Sequence, residues 1–80
     1  MTTENTLIVQ AFWDEEAGVW VATSDDVAGL ATEADNINSL VAKLKVMIPE
    51  LLDANGYPDR DEIPFQLNTQ LTAVAYRHVA

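Results

Sequence analysis

Five carboxylates in two short clusters are the first candidates for chemistry in this sequence. Asp14, Glu15 and Glu16 form one cluster, and Asp25 and Asp26 form the other. A two-metal hydrolytic site needs carboxylates that converge on ions about 4 Å apart. The clusters flank a predicted strand that rises about 3.3 Å per residue, which separates them by roughly 20 Å. We therefore interpret them as two solvated loops and not as one metal site.

The other candidates for catalysis lack the partners that catalysis requires. His78 is the only histidine and has no defined acidic partner. Ser24 and Ser39 have no His-acid pair to activate them. The absence of cysteine excludes thiolate nucleophiles, thiolate zinc sites and disulfides together. We expect no enzymatic activity, no metal and no cofactor.

The composition indicates a small acidic protein. The 80 residues include 13 Asp and Glu against 4 Lys and Arg, which gives a net charge of -9. A chain of this length has room for one domain, and we expect residues 1–80 to form it. The charge opposes contact with phosphates, so we expect no binding to nucleic acid or to an anionic membrane. Residues 1–5 lack the pattern of a signal peptide and no apolar run is long enough to span a membrane, which predicts a cytoplasmic protein.

The N-terminal third predicts a β-hairpin followed by a short third strand. Residues 6–13 and 19–24 are rich in β-branched and aromatic side chains, and an acidic loop that ends in Gly18 separates them. A five-residue loop would place Phe12 opposite Trp20, whereas a four-residue loop shifts the pairing by one residue. The sequence leaves both registers open. Residues 30–34 are expected to form the third strand.

One amphipathic helix is predicted over residues 37–54. Asn36 is a favourable N-cap, and Asn55-Gly56 followed by Pro58 is a typical helix end. Pro49 lies inside the helix, where a proline removes a backbone hydrogen bond, so a kink is expected nearby. The apolar residues that recur at three- and four-residue steps are Ile37, Leu40, Val41, Leu44, Met47, Ile48, Leu51 and Leu52.

The C-terminal segment predicts a last, half-buried strand over residues 63–76. Its side chains alternate, with Phe65, Leu67, Leu71, Ala73 and Ala75 on one side and Gln66, Asn68, Gln70 and Thr72 on the other. The resulting element order is β-β-β-α-β. We expect a two-layer α+β domain in which the helix covers one face of a sheet built on the antiparallel hairpin.

Residues 12–27 and 29–35 carry a resemblance to a known family. They read F-W-D-E-E-A-G-V-W-V-A-T-S-D-D-V and G-L-A-T-E-A-D. This succession of a strand, an acidic Gly turn, a Trp-containing strand, a D-D-V-x-G-L loop and a helix after E-A-D resembles the N-terminal domain of HicB-type antitoxins. It is also similar to small stand-alone proteins of unknown function related to them, and residues 43–52 fit that stand-alone group.

The resemblance implies a fold and a role. HicB N-terminal domains have a degraded RNase H-like fold without working nuclease residues, and they mask a small basic ribonuclease toxin. Typical HicB antitoxins carry a DNA-binding segment after this domain, but this chain stops at Ala80, so operator binding is not expected. Ala28 also replaces the proline that the family usually has in this loop.

An apolar surplus predicts self-association. The chain is 49% hydrophobic and only 21% charged, although a small domain has proportionally more surface to cover with polar groups. One helix covers only one sheet face, yet the first strand has apolar side chains on both. They are Leu7, Val9, Ala11 and Trp13 on one face and Ile8 and Phe12 on the other. We expect a homo-oligomer, most simply a dimer, through the uncovered face or the edge of the last strand.

Two functions compete on this basis. The first is a non-catalytic protein-binding domain of the HicB type that masks a small basic toxin. The second is an orphan homo-oligomer with a structural or small-ligand role and no toxin. A neighbouring reading frame for a small Lys/Arg-rich protein would favour the first. The residues expected to bind a partner are Asp14, Glu15, Glu16, Trp20, Asp25 and Asp26.

Overall fold

The computed structural model describes residues 6–57 and 62–77, and it confirms the predicted α+β class and element order. Some residues used in the predictions above lie outside these ranges. They are residues 1–5, Pro58 and His78. The elements are β1 (Leu7–Asp14), β2 (Val19–Thr23), β3 (Ala31–Ala34), α1 (Ile37–Ala54) and β4 (Phe65–Gln70).

The four strands form one mixed sheet in the order β3-β2-β1-β4. β2 pairs antiparallel with both β1 and β3, whereas β4 pairs in parallel with β1. This topology follows from the helix, because α1 carries the chain from the β3 edge back across the sheet to the free side of β1. A parallel neighbour requires such a crossover connection. β3 and β4 are therefore the two edge strands.

The hairpin adopts the four-residue loop, so Trp13 lies opposite Trp20 and Phe12 lies opposite Val21. The two indole rings pack edge to face, with centroids 5.4 Å apart. The Asp14 side chain closes the turn, because its Oδ1 accepts hydrogen bonds from the backbone amides of residues 16 and 17, each at 3.1 Å. Gly18 has a φ of +70°, which a residue with a side chain adopts only at a cost.

The opposite end of β1 is held by the loop that follows β2. The Ser24 hydroxyl donates to the carbonyl oxygen of Ile8. Asp26 Oδ2 accepts from the Ile8 amide at 2.8 Å, and the Asp26 amide donates to Ser24 Oγ at 3.0 Å. These side chains provide hydrogen bonds to Ile8 beyond the end of the β1–β2 pairing.

The helix begins and ends at the residues that the sequence predicts. Asn36 has extended backbone angles, and its side chain accepts from the Ser39 amide at 2.8 Å, as an N-cap does. At the other end Gly56 has a φ of +80°, the Gly56 amide donates to Asp53 O, and the Tyr57 amide donates to Leu52 O. This pair of bonds is a Schellman motif. The helix continues through Pro49.

The core lies between α1 and one face of the sheet. Leu44 at the centre of the helix is fully buried, and no polar side chain among the described residues is buried. The strand residues of this core share one face because they sit at alternating positions. The buried hydrophobic residues are Val9, Ala11, Ala22, Val27, Leu30, Ala34, Leu40, Leu44, Ile48 and Leu52.

The prediction that the last strand reaches residue 76 is wrong. β4 ends at Gln70, and residues 71–77 are exposed and form no strand. Gln70 pairs with Phe12, close to the point where β1 ends at Asp14 and the chain turns away. The alternating pattern continues beyond Gln70, but past Asp14 the described part of the chain offers no neighbouring strand for it to pair with.

Candidate protein-binding face

The sheet has one face covered by the helix and one that α1 does not cover. Directly opposite residues point to the same side of a sheet, so the strand pairing assigns each side chain to a face. We call the second one the open sheet face. Its strand residues are Ile8, Gln10, Phe12, Asp14, Val19, Val21, Thr23, Ala31, Glu33, Gln66, Asn68 and Gln70.

Phe12 is the central apolar residue of the open sheet face. Its side chain is 47% exposed, and its neighbours across the sheet are Val21 on β2 and Gln70 on β4. Ile8 and Val21 are half-buried on the same face. An exposed aromatic ring among aliphatic side chains is a typical centre of a protein interface.

Acidic side chains lie on three sides of this apolar centre, whereas the β4 side carries neutral amides. Glu33 is exposed and lies directly across from Val21. Glu15 and Glu16 are exposed in the hairpin loop beyond one end of the strands, and Asp25 is exposed in the loop at the other end. Between residues 6 and 42 the sequence has seven acidic residues and no Lys or Arg. The charged side chains of the first three strands and their loops are therefore all acidic.

The predicted partner-binding residues divide into two groups. Glu15, Glu16 and Asp25 are exposed, and their side chains form no hydrogen bond that the structure records among its described residues. Asp26 is also exposed, but it and the half-buried Asp14 accept backbone hydrogen bonds at opposite ends of β1. The two acidic clusters are thus separated by most of the strand, about 20 Å at 3.3 Å per residue.

Trp20 lies on the helix-covered face and not on the open one. It sits opposite Trp13 and packs, half-buried, against the core. Phe12 has the more exposed ring, although it is not among the residues that the sequence predicts to bind a partner. The signal was present in the alternation of β1, which placed Ile8 and Phe12 on the second face.

Residues 6–57 and 62–77 contain neither a cluster of potential metal ligands nor a membrane-spanning helix, and they line a small pocket. No group of three or more His, Cys, Asp or Glu residues there could hold a metal ion. No helix in these ranges is long and apolar enough to cross a membrane. One pocket of about 180 Å³ lies between the helix and the start of β4, lined by Leu44, Lys45, Ile48, Pro49, Ile63 and Phe65. Sites for drug-sized ligands usually occupy about 300 Å³ or more.

These features define a small two-layer α+β domain with one uncovered acidic sheet face. The chain belongs to the family of the domain of unknown function DUF1902, whose model matches residues 6–77. It is similar to a hypothetical protein from the extremely thermophilic bacterium Thermus thermophilus, with 55% identity and a TM-score of 0.69. That match covers 91% of this chain and 100% of the other. No curated protein matches the chain.

Proposed function

We propose that this protein is a non-catalytic binding domain whose open sheet face binds a small basic protein. The observation that carries the proposal is the exposed Phe12 at the centre of a face with acidic groups on three of its sides. Interfaces commonly combine an apolar centre that excludes water with a charged rim that selects the partner. Glu15, Glu16, Asp25 and Glu33 supply such a rim here.

The charge of the surface selects the partner's chemistry. Seven acids without a single Lys or Arg between residues 6 and 42 repel nucleic acids, acidic proteins and anionic lipids. The same electrostatic field attracts a partner rich in Lys and Arg and so raises the rate at which the two proteins associate. Such partners include small nucleases, because a nuclease needs positive charge to hold a phosphate backbone.

The HicB resemblance makes the partner more specific. HicB antitoxins mask a small basic ribonuclease, and the acidic loops that carry the resemblance lie at the two ends of the open sheet face. We propose the same role here: the domain covers the nucleic-acid-binding surface of its partner and so blocks access of RNA. The domain itself contributes no reacting group in this scheme.

A second candidate function is a homo-oligomer with a structural role and no toxin partner. It is favoured by the exposed apolar side chains that follow β4, Leu71 at 55% and Val74 at 71% exposure. The two functions use different surfaces and can be tested separately. Only the first predicts a Lys/Arg-rich protein encoded beside this one.

Charge reversal in the hairpin loop tests the electrostatic part of the proposal. In the Glu15→Lys/Glu16→Lys variant, we expect association with the basic partner to slow by about tenfold at low salt, while dissociation changes less. Raising the salt concentration should reduce the difference, because counterions screen exposed charges. Surface plasmon resonance at several salt concentrations, with the purified partner immobilised, measures both rates.

The matched control is Glu50→Lys/Asp53→Lys, which changes the net charge by the same amount. Both residues are exposed on α1, on the opposite layer of the domain. Equal slowing by the two double variants would mean that only the net charge matters. That result would contradict binding at the open sheet face.

A further inference from the structure

The outer edge of β4 is a free edge with no charged side chain. β4 pairs with β1 on one side, and no described strand pairs with the other. Residues 63–76 contain none of the 17 charged residues of the chain, and this run of fourteen is the longest without charge. Natural proteins usually protect an exposed edge with charges, proline or a short strand. This edge has six strand residues, and Pro64 lies just before them.

The opposite edge of the sheet has the protection that β4 lacks. β3 has only four residues, and one of them is the exposed Glu33. The Nζ of Lys43 donates to the carbonyl oxygen of Glu33 at 2.6 Å, so a side chain already occupies this backbone acceptor. The contrast indicates that only the β4 edge is suited to pair with another strand.

The helix side of β4 is incompletely covered. α1 lies over β2 and β3, and the side chains that β4 directs to this side, Phe65 and Leu67, are only half-buried. The pocket of about 180 Å³ lies here, with Ile63 and Phe65 on one wall. An additional apolar side chain beside β4 would cover Phe65 and extend the core toward the edge.

Residues 71–77, which we call the exposed arm, supply such side chains. Every residue of the arm is exposed, including Leu71 at 55%, Val74 at 71% and Tyr76 at 87%. The arm continues the alternation of β4 but pairs with no strand among the described residues. Exposed β-prone apolar residues next to a free strand edge are typical of segments that pair with another chain.

We propose that β4 and the exposed arm pair antiparallel with the same residues of a second copy of this chain. Two copies of a chain with net charge -9 repel each other at most surfaces, but the uncharged run of residues 63–76 allows close contact. The second copy is therefore the occupant that this edge fits. The inference does not depend on the basic partner, because it uses the edge of the sheet and not its open face.

Symmetry determines which side chains meet. A two-fold axis that relates antiparallel edge strands is perpendicular to the sheet, so each residue keeps its face in the dimer. Leu71 has the same parity as Phe65 and Leu67, so it lies on their side once the arm pairs as a strand. With Asn68 next to the two-fold axis, Leu71 then packs opposite Phe65 of the other copy. Both helices then lie on one side of an eight-stranded sheet, and both open sheet faces lie on the other.

The oligomeric state of the purified full chain tests this proposal. Light scattering coupled to size exclusion should give twice 8.8 kDa for the native protein. The Leu71→Glu/Val74→Glu variant should give the monomer mass, because two carboxylates enter the contact from each copy. Both residues are exposed, so its far-ultraviolet circular dichroism should stay native. The control is Val46→Glu, an exposed residue of α1, which should leave the dimer intact.

Cross-linking locates the contact. Because the chain has no cysteine, Asn68→Cys and Glu33→Cys each introduce a unique thiol, the first on β4 and the second on β3. A short bismaleimide should link Asn68→Cys into covalent dimers and should not link Glu33→Cys. A monomeric native protein would overturn the proposal. It would also be overturned by a dimer that survives the Leu71→Glu/Val74→Glu change, or by cross-links through Glu33→Cys alone.

Discussion

Replacing Leu44 by Ala should lower the free energy of unfolding by about 2 to 5 kcal/mol. Leu44 is fully buried at the centre of α1, so the shorter side chain leaves a cavity between the helix and the sheet. The total free energy of unfolding of a small domain is about 5 to 15 kcal/mol, so this one substitution removes a large share of its stability. Urea unfolding followed by circular dichroism, at one fixed protein concentration, measures the loss.

Val46→Ala is the matched control for this change. Val46 lies two residues further along the same helix but is 59% exposed, so its truncation removes few contacts. We expect a change within about 0.5 kcal/mol, as for most surface substitutions. Equal losses at the two positions would contradict the assignment of the buried helix face.

Replacing Phe12 by Ala should weaken the complex with the basic partner by about 30-fold or more. A central aromatic residue of an interface often contributes over about 2 kcal/mol, which corresponds to that change in Kd. Phe12 is 47% exposed in the free protein, so its truncation should cost less stability than that of a core residue. Isothermal titration calorimetry with the purified partner measures Kd.

Tyr57→Ala controls for the loss of an exposed aromatic ring. Tyr57 is also 47% exposed, but it follows the C-terminal end of α1 and not a strand of the open face. Its truncation should leave Kd unchanged within about twofold. If Tyr57→Ala weakens the complex as much as Phe12→Ala does, the partner does not bind where we propose.

The helix could be predicted from the sequence with its correct ends because the signals are local. The N-cap Asn36 and the stop at Gly56 act through hydrogen bonds to residues within one helical turn or little more. The three- and four-residue spacing of the apolar side chains predicts its buried face directly. The buried helix residues are Leu40, Leu44, Ile48 and Leu52.

The pairing of strands could not be predicted as fully because it depends on distant parts of the chain. Loop length left two hairpin registers open, and the Asp14 side chain that closes the observed turn adds a contact that composition does not reveal. The end of β4 at Gln70 depends on where β1 stops, more than fifty residues earlier. The alternating residues of the exposed arm show a strand pattern, but no described strand of the same chain pairs with them.

The positions of the acidic residues could be predicted in part. The exposed acids Glu15, Glu16 and Asp25 lie in loops at the ends of the open sheet face, as the hairpin interpretation requires. Asp14 and Asp26 are placed differently, because their carboxylates bind backbone amides. Such local hydrogen bonds are common for Asp in turns but depend on a backbone geometry that the sequence leaves undefined.

Self-association and partner binding could occur in the same molecule. The proposed dimer uses the β4 edge and leaves both open sheet faces exposed on one side of the extended sheet. A partner that is itself dimeric could then contact both faces at once, and the second contact would form at a high effective concentration.

The most direct test of the account is a titration of the partner's ribonuclease activity with this protein. The test requires a small Lys/Arg-rich protein encoded beside this one, as the proposed function predicts, held at constant concentration above the Kd while cleavage of a fluorescent RNA is followed. We predict that activity falls linearly and disappears at one domain per partner, and that the Phe12→Ala variant requires a large excess. Full ribonuclease activity in the presence of excess native protein would contradict the claim that the open sheet face masks a basic ribonuclease.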